Sequence, residues 1–186
     1  ACADILYMLI ERTNTSLYVS TYEMTNVRIV ARLISAALHG VSVRMTIDKK
    51  QLTMHKPRVF LMALYLAGAK IRVDCRNEIH HHKLMVFDET KAYVTGSYNF
   101  SESAEDKNAE NFSVGTDSKV VKAYLAVADL AWEHGSEYAI YKEPGESAYV
   151  SFKCRDTRQP VDRGCIVKTL NRPMVTPFVP SGVSGS

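Results

Sequence analysis

Short strand patterns alternate with amphipathic helix patterns along the first 135 residues of the chain. Residues 3 to 13 place apolar side chains at helical spacing, and residues 17 to 22 are rich in the β-branched and aromatic side chains typical of strands. A helix pattern follows between Asn26, at an N-cap position, and Gly40, at a C′ position. A chain that begins in this order is predicted to build a sheet covered by helices.

The same alternation continues to residue 134. It predicts strands over residues 41 to 47 and 70 to 75, a helix over 59 to 66 that ends at Gly68, a hairpin formed by 83 to 87 and 92 to 95, a further strand over 111 to 115, and a long helix from Asp117 or Ser118 to His134. We therefore expect an α/β fold in which a mixed β-sheet is flanked by helices on both faces.

The length of the chain predicts one domain with a short extension. At 186 residues and 46% hydrophobic content, the chain can form one ordinary domain with a hydrophobic core, which we assign to residues 1 to 140. Residues 141 to 186 hold five of the six prolines and two of the four cysteines, and they end in a run of Ser, Gly and Val. This composition predicts an irregular extension with a disordered end.

Charge and hydropathy leave the location of the protein open. The formal net charge of +3 permits a polyanionic partner without requiring one. The longest apolar stretch, residues 59 to 69, is far shorter than the roughly twenty residues that span a bilayer. The N-terminus shows no signal peptide, as is also true of a mature chain whose signal has been removed. We expect a soluble protein, secreted or periplasmic in the second case and cytoplasmic otherwise.

Four cysteines allow three disulfide connectivities if all of them pair. They are Cys2, Cys75, Cys154 and Cys165. The sequence leaves two alternatives open, a disulfide between Cys154 and Cys165 or unpaired buried thiols. The three consecutive histidines at positions 80 to 82 suggest zinc, but no second pair of ligands lies at the spacing of structural zinc sites. No metal is therefore expected.

The segment from residue 80 to residue 111 contains polar residues at regular spacing. Side chains two apart on a strand share a face, so His81 and Lys83 are predicted on one face and His82 and Leu84 on the other. A run of three histidines alone is typical of a solvated surface. The ordered set indicates a functional site instead, and it consists of His81, Lys83, Asp88, Ser97 and Asn99.

The spacing of this set resembles the HxK(x)4D motif of the phospholipase D superfamily, followed by its G-S-x-N element. The first element contains His81, Lys83 and Asp88, and the second contains Gly96, Ser97 and Asn99. Glu110 lies where family members often carry a further acidic residue. The upstream order of strands and helices is similar to that of the small bacterial endonucleases of the superfamily. Seven residues, rather than the usual six, precede Gly96 after the motif aspartate, which one extra residue in the hairpin turn explains.

The resemblance implies a phosphodiesterase that uses no metal and no other cofactor. A neutral His81 would attack phosphorus to give a covalent phosphohistidine, while a second, protonated histidine donates to the leaving oxygen. Lys83, Ser97 and Asn99 would stabilise the phosphate charge that a metal ion neutralises in most phosphodiesterases. Because the chain has one HxK motif, the resemblance implies a homodimer in which two copies of His81 share one site.

The neighbours of the motif have less specific roles. Glu110 is expected to orient the catalytic imidazole, although it lies among acidic residues that are ordinarily solvated. Asp88 and Gly96 are expected to support the fold rather than contact substrate. His80 and His82 are expected to pack against neighbours or lie at the rim of the site.

Basic residues in the first third of the chain have two interpretations. They either line a groove that follows a phosphate backbone, with Tyr98 or Phe100 stacking on a base, or provide solubilising surface charge. They are Arg28, Arg32, Arg44, Lys49, Lys50, Lys56 and Arg58.

Three functions compete. The leading hypothesis is a sequence-nonspecific endonuclease that cleaves DNA or RNA, because the motif is single and compact and no extended acyl-chain-binding region is visible. The alternative is a lipid phosphodiesterase of the phospholipase D or cardiolipin type, which would use the same chemistry. A second alternative is a non-catalytic nucleic-acid-binding module, but the intact motif argues against it.

Overall fold

A computed structural model of the chain describes residues 2–141, 149–152 and 167–168. The helices are α1 (Cys2–Glu11), α2 (Val27–Leu38), α3 (His55–Leu66), α4 (Glu102–Asp106) and α5 (Ser118–His134), with a short 3₁₀ helix at Lys49–Leu52. The strands are β1 (Ser16–Thr21), β2 (Ser42–Asp48), β3 (Lys70–Asp74), β4 (Lys83–Phe87), β5 (Ala92–Gly96), β6 (Phe112–Gly115), β7 (Gly135–Tyr141), β8 (Tyr149–Phe152) and β9 (Val167–Lys168).

These strands form one mixed sheet in the order β6-β5-β4-β1-β2-β3-β7-β8-β9. The three central strands β1, β2 and β3 are parallel, and β4 pairs with β1 in the antiparallel direction. In this register Lys83, the first residue of β4, lies opposite Thr21, the last residue of β1. Asp48 and Asp74, the last residues of β2 and β3, are also register partners. The carboxyl ends of the parallel strands and the start of β4 therefore share one edge, which we call the carboxyl edge.

Helices cover both faces of the sheet, as the sequence predicted. On one face, α1, α2 and α3 bury Leu6, Leu33 and Leu61 against the sheet residues Val19 and Met85. On the other face, α5 buries Val121 and Ala128 in a smaller cluster, whose sheet residues are Tyr18, Leu84 and Val86. The alternation of side chains along β4 explains the two clusters, because successive residues point to opposite faces.

Local sequence signals set several element boundaries where they were predicted. The Asn26 side chain caps α2 by accepting hydrogen bonds from the backbone N–H groups of Arg28 (3.0 Å) and Ile29 (3.1 Å). Gly40 follows this helix with φ 88°, and Gly68 follows α3 with φ 100°. Both glycines adopt the left-handed conformation that ends helices, since glycine has no Cβ to clash.

Other elements differ from the prediction. The helix α3 begins at His55, four residues before the predicted start, because Pro57 falls in its first turn, where no backbone N–H is needed. The 3₁₀ helix, α4 and β7 were not predicted. Each is either very short or follows another element directly, so hydrophobic periodicity does not reveal it.

The predicted C-terminal extension is described only in part. Residues 149–152 and 167–168 form strands that continue the sheet beside β7. The rest of the predicted irregular segment, including the possible Cys154–Cys165 disulfide, lies outside the described residues. Cys75, which directly follows β3, is disulfide-bonded. The division of the chain at residue 140 stays a prediction.

Candidate active site

The segment that precedes β4 brings His81 and Lys83 to the carboxyl edge. The backbone N–H of Tyr22 donates to the carbonyl of His82 (2.8 Å), so this segment is held against the end of β1. The exposed His81 ring packs against the Tyr22 ring with centroids 5.0 Å apart. The Lys83 ammonium lies 5.3 Å from the centroid of the same ring and donates to the carbonyl of His81 (3.2 Å). The two motif residues therefore lie together, as their spacing predicted.

Lys83 carries a cation in a largely buried position. Only 7% of the residue is exposed, and burial lowers the pKa of its ammonium group. The carboxylates of Glu110 and Glu23 act in the opposite direction and raise the pKa of Lys83, but their effect is smaller than that of burial. A buried ammonium group beside an open imidazole suits an anionic group such as a phosphate, since its charge is weakly screened there.

Ser97 and Glu110 meet beside these residues, where β5 ends and before β6 begins. The Ser97 hydroxyl donates a short hydrogen bond of 2.5 Å to Glu110 Oε2 and accepts one from the backbone N–H of Asn111 (3.1 Å). The side-chain amide of Asn108 donates to the other oxygen of Glu110 (3.1 Å). Hydrogen bonds from Ser97 and Asn108 lower the pKa of Glu110, so the carboxylate stays ionised. In this arrangement Glu110 holds Ser97, and no hydrogen bond of the described residues joins Glu110 to His81.

Gly96 and Asn99 complete the G-S-x-N element. A Cβ atom at Gly96 would lie 2.6 Å from the Cα of Phe112, so this close approach of β5 and β6 requires glycine. The Oδ1 atom of Asn99 is buried and has no hydrogen-bond partner among the described residues. A buried acceptor of this kind costs free energy unless a donor satisfies it.

Two aromatic residues predicted to stack on a base do not have that role. Tyr98 and Phe100 are each only 1% exposed and belong to the core under α1 and α2. The Tyr98 hydroxyl donates to Glu105 (2.8 Å). The prediction is wrong because both side chains point into the core after β5, and Tyr22 is the aromatic residue that contacts the motif.

Asp88 lies at the opposite edge of the sheet from His81, where β4 ends. Its carboxylate accepts hydrogen bonds from the backbone N–H groups of Asn14, Thr15 and Ser16 and from the Lys91 ammonium group. These contacts tie the α1–β1 connection to the turn of the β4–β5 hairpin. Asp88 itself has φ 48°, and the adjacent Glu89 has φ 60°, so the turn uses two left-handed residues in succession.

A buried hydrogen-bonded chain at the carboxyl edge was missed by the sequence analysis. His80 Nδ1 lies 2.8 Å from Asp74 Oδ2, and His80 Nε2 lies 2.9 Å from the hydroxyl of Ser20. The same hydroxyl lies 2.9 Å from His82 Nδ1. His80 was predicted as a packing or rim residue, but it is buried and engaged at both ring nitrogens. The members come from three separate segments, so no local spacing could have revealed the chain.

Four of the basic residues predicted to line a groove lie in two different settings. Arg44 lies over the rings of Tyr18 and Trp132, and Arg32 pairs with Glu11, so these side chains serve local packing. Lys49 and Lys50 instead follow β2 at the carboxyl edge, where Lys50 is exposed.

Neither metal ligands nor membrane spans are found in the described part of the chain. Within residues 2–141, 149–152 and 167–168, no three His, Cys, Asp or Glu side chains are grouped so that they could hold a metal ion. No helix in the same residues is long and apolar enough to cross a membrane.

Known proteins share both the sequence and this architecture. The family described as "Cardiolipin synthase, PLD-like domain" matches residues 6–132, and the chain belongs to this phospholipase D-like family. A phospholipase D of Rickettsia prowazekii (strain Madrid E) is 32% identical over 124 residues, which is 67% of this chain and 59% of that protein. A mitochondrial cardiolipin hydrolase of Xenopus laevis is 33% identical over 96 residues, which is 52% of this chain and 45% of that protein. The chain thus spans about three-fifths of the phospholipase D relative.

Solved structures agree with the fold. The phospholipase D family member Nuc of Salmonella typhimurium superposes with a TM-score of 0.71 at 27% identity, covering 74% of this chain and 91% of that one. NucT of Helicobacter pylori superposes with a TM-score of 0.62 at 20% identity, covering 72% of this chain and 88% of that one. The predicted family and fold class are confirmed.

Proposed function

We propose that this protein is a metal-independent phosphodiesterase that cleaves nucleic acid without sequence preference. The observation that carries the proposal is that an exposed imidazole, His81, and a largely buried ammonium group, Lys83, both lie against the ring of Tyr22. A phosphate bound here would meet a nucleophile and a cation together. The hydrogen-bonded pair of Ser97 and Glu110 supplies further polar groups at the same edge.

The proposed reaction has two displacements. First, a nitrogen lone pair of neutral His81 attacks phosphorus, the bond from phosphorus to the leaving oxygen breaks, and a protonated histidine gives its proton to that oxygen. Water then attacks phosphorus, the phosphorus–nitrogen bond breaks with its electron pair returning to His81, and the proton of water returns to the second histidine. Lys83 stabilises the charge on the non-bridging oxygens in both steps.

The second histidine is proposed to be His81 of a second copy of the chain. His80 and His82 lie next to His81 in sequence, but His80 uses both ring nitrogens and His82 uses one in the buried chain to Asp74. A twofold axis beside His81 would place two identical imidazoles on opposite sides of one phosphate.

Positive charge at the carboxyl edge favours nucleic acid as the substrate. Exposed basic side chains, Lys50 and Arg76, lie in the segments that follow β2 and β3 at the carboxyl edge, where a phosphate backbone would pass.

The proposal is tested by cleavage of labelled single- and double-stranded DNA and RNA in excess EDTA. We expect wild-type protein to cleave at least one of these substrates, and His81→Ala to lose activity by about 1,000-fold or more, since it removes the nucleophile. His39→Ala is the matched control, because His39 is an exposed histidine at the end of α2, away from the carboxyl edge. If wild-type protein cleaves without EDTA but not in its presence, the metal-independent mechanism is overturned.

A lipid phosphodiester is the second candidate, because of two exposed apolar side chains. Ile79 lies two residues before His81 and is 44% exposed, and Met54 follows the 3₁₀ helix and is 48% exposed. They could contact a membrane surface beside the site. Release of phosphatidic acid from vesicles of phosphatidylcholine and cardiolipin, without cleavage of any nucleic acid, would decide for this candidate. Inactivity of the wild type on every phosphodiester would favour a binding module instead.

A further inference from the structure

The buried chain from Asp74 to His82 connects three segments directly behind the motif. Asp74 ends β3, Ser20 is the penultimate residue of β1, and His80 and His82 flank His81 in the segment that enters β4. Asp74, His80 and Ser20 are 2%, 3% and 1% exposed. Three hydrogen-bond contacts of 2.8 to 2.9 Å join them to His82. A polar chain this deeply buried persists only if each group finds a matching donor or acceptor.

Asp74 fixes the direction of the first hydrogen bond. Burial would raise the pKa of this carboxyl group, but hydrogen bonds from Asn77, His80 and Arg76 outweigh burial and hold the pKa at about 2. The ionised carboxylate can only accept, so His80 Nδ1 carries a hydrogen. The backbone N–H of His80 also donates to Asp48 (2.7 Å), so hydrogen bonds hold the main chain of this residue as well as its ring.

The single hydroxyl hydrogen of Ser20 leaves two arrangements of the remaining protons. In the first, Ser20 donates to a neutral His80 and accepts from Nδ1–H of His82. In the second, a doubly protonated His80 donates to Ser20, which donates to Nδ1 of His82, and His82 carries its hydrogen on Nε2. The two arrangements differ by one proton. That proton enters at Nε2 of His82. Nδ1 of His82 then gives its hydrogen to the Ser20 oxygen, and Ser20 gives its hydrogen to Nε2 of His80. The positive charge therefore appears on His80, beside Asp74.

His82 is neutral in both arrangements. Burial lowers the pKa of its ring, the nearby His80, Lys83 and His81 lower it further, and only Asp74 raises it. Among the described residues, the ionisable groups that contact His80 directly are Asp74, Asp48 and His82. The hydrogen-bonded chain therefore moves positive charge away from the rim of the site, toward the buried carboxylate of Asp74.

We propose that His80 and His82 are positioning residues, which act through Ser20 and Asp74 as one proton-coupled unit to fix the segment that carries His81 and Lys83. This inference rests on the proposed phosphodiesterase function and adds a role for residues that do not contact the substrate. If the unit acts as proposed, the hydrogen of His82 moves from Nδ1 to Nε2 when His80 becomes charged, and His82 itself never becomes an imidazolium.

Nitrogen-15 NMR of histidine-labelled full-length protein tests the proton arrangement without any assay of activity. Between pH 5 and pH 10 we expect the His82 tautomer and the His80 charge to change together, at one midpoint. Neutral His80 should accompany the Nδ1–H form of His82, which is the minor tautomer of free histidine. Separate midpoints for the two rings, or an imidazolium signal from His82, would overturn the proposal.

Ser20→Ala tests whether the unit acts on the reaction centre. With bis(p-nitrophenyl) phosphate in EDTA we expect kcat to fall by about 10- to 100-fold while KM stays within about twofold. The reason is that the hydrogen-bonded chain positions the reacting groups without binding substrate. Ser20→Thr keeps a hydroxyl and should recover most of the lost kcat. Ser16→Ala is the matched control on the same strand, since the Ser16 hydroxyl is buried without a partner among the described residues.

The two experiments separate failure of this inference from failure of the proposed function. No hydrolysis by wild-type protein would defeat the proposed function, and the NMR titration would still decide the proton arrangement. Coupled titration together with an unchanged kcat in Ser20→Ala would show that the hydrogen-bonded chain does not position His81. That result would overturn this inference and leave the proposed function intact.

Discussion

At the scale of single residues, the proposed reaction depends on keeping one ammonium group, that of Lys83, charged in a buried position. Burial lowers the pKa of Lys83 from its ordinary value of 10.5, while Glu110 and Glu23 raise it. The balance between these effects sets the pH above which the phosphate loses its cationic partner. Of these two carboxylates, Glu110 also accepts a hydrogen bond from the Ser97 hydroxyl. Glu23 instead accepts one from the hydroxyl of Thr25.

This balance predicts the alkaline limit of activity. A lysine whose pKa is lowered is charged below that pKa, so activity should fall as pH rises through a value under 10.5. In Glu23→Gln the limit should move to lower pH, because one carboxylate that favours the charged form is gone. The measurement is kcat/KM for bis(p-nitrophenyl) phosphate from pH 7 to 11, in EDTA.

Two variants control this experiment. Glu78→Gln alters an exposed carboxylate that is not one of the groups that raise or lower the pKa of Lys83. It should leave the alkaline limit of activity in place. Lys83→Arg carries a cation that does not lose its proton, so any activity it retains should lack this limit. An alkaline limit that stays fixed in Glu23→Gln would show that another group produces it.

The residues of the candidate site were predictable to different degrees. His81 lies two residues before Lys83, the first residue of β4, and Ser97 follows the next strand of the same hairpin, so local spacing was enough to bring them together. Asp74 and Ser20 join His80 only because β1, β2 and β3 are parallel neighbours with their carboxyl ends aligned. Such alignment is a property of the sheet, and one segment of sequence does not contain it.

At the scale of elements, boundaries were predicted well where a side chain or a glycine marks them. Asn26 and Gly40 bracket α2 in the structure as they do in the sequence. The 3₁₀ helix and α4 have only four and five residues, which is too short for helical periodicity to be visible. The strand β7 begins directly after α5, with no loop residues to separate the two patterns.

The hairpin turn and the α1–β1 connection are held together by one carboxylate. Asp88 accepts backbone hydrogen bonds from Asn14, Thr15 and Ser16, and its ion pair with Lys91 has a 2.8 Å separation. Burial would raise the pKa of Asp88, but the hydrogen bonds outweigh burial and hold it well below its ordinary value. The ionised form is thus the one that the folded state prefers.

We predict that Asp88→Asn lowers the free energy of unfolding at pH 7 by about 2 kcal/mol, because hydrogen bonds to a charged acceptor become bonds to a neutral amide. Asparagine tolerates the left-handed φ of this position, so the change isolates the charge. Since the pKa of Asp88 is lower in the folded state, its stabilisation is present above the unfolded pKa of about 4 and is lost as pH falls below it.

Urea unfolding of wild type and Asp88→Asn at pH 7 and at pH 3 measures this effect. The difference between the two proteins should shrink at pH 3, and hydrolysis per folded molecule should be unaffected at pH 7, because Asp88 lies at the edge opposite His81. Glu89→Gln is the control, since it changes the neighbouring left-handed residue, which is exposed. An equal difference at both pH values would contradict the assigned role of the charge.

At the scale of the whole molecule, the candidate site of one chain supplies one exposed imidazole, His81, whereas the proposed reaction uses two. The described residues place His81 at an exposed edge, whereas His80 and His82 are held in the buried chain on Ser20. A second copy related by a twofold axis supplies an identical His81 with no further change in the fold. In such an assembly neither protomer contains a complete site, so activity belongs to the pair.

Mixing experiments distinguish a shared site from two independent sites. When wild type and His81→Ala are unfolded together in equal amounts and refolded, random pairing gives about one quarter wild-type dimers and one half mixed dimers. A shared site predicts about a quarter of the activity of wild type at the same total concentration, and independent sites predict about half. Mixing wild type with His39→Ala, whose histidine lies away from the carboxyl edge, should retain full activity. Mixed dimers isolated with two different affinity tags give the direct answer, because half of wild-type activity in that species would exclude the shared site.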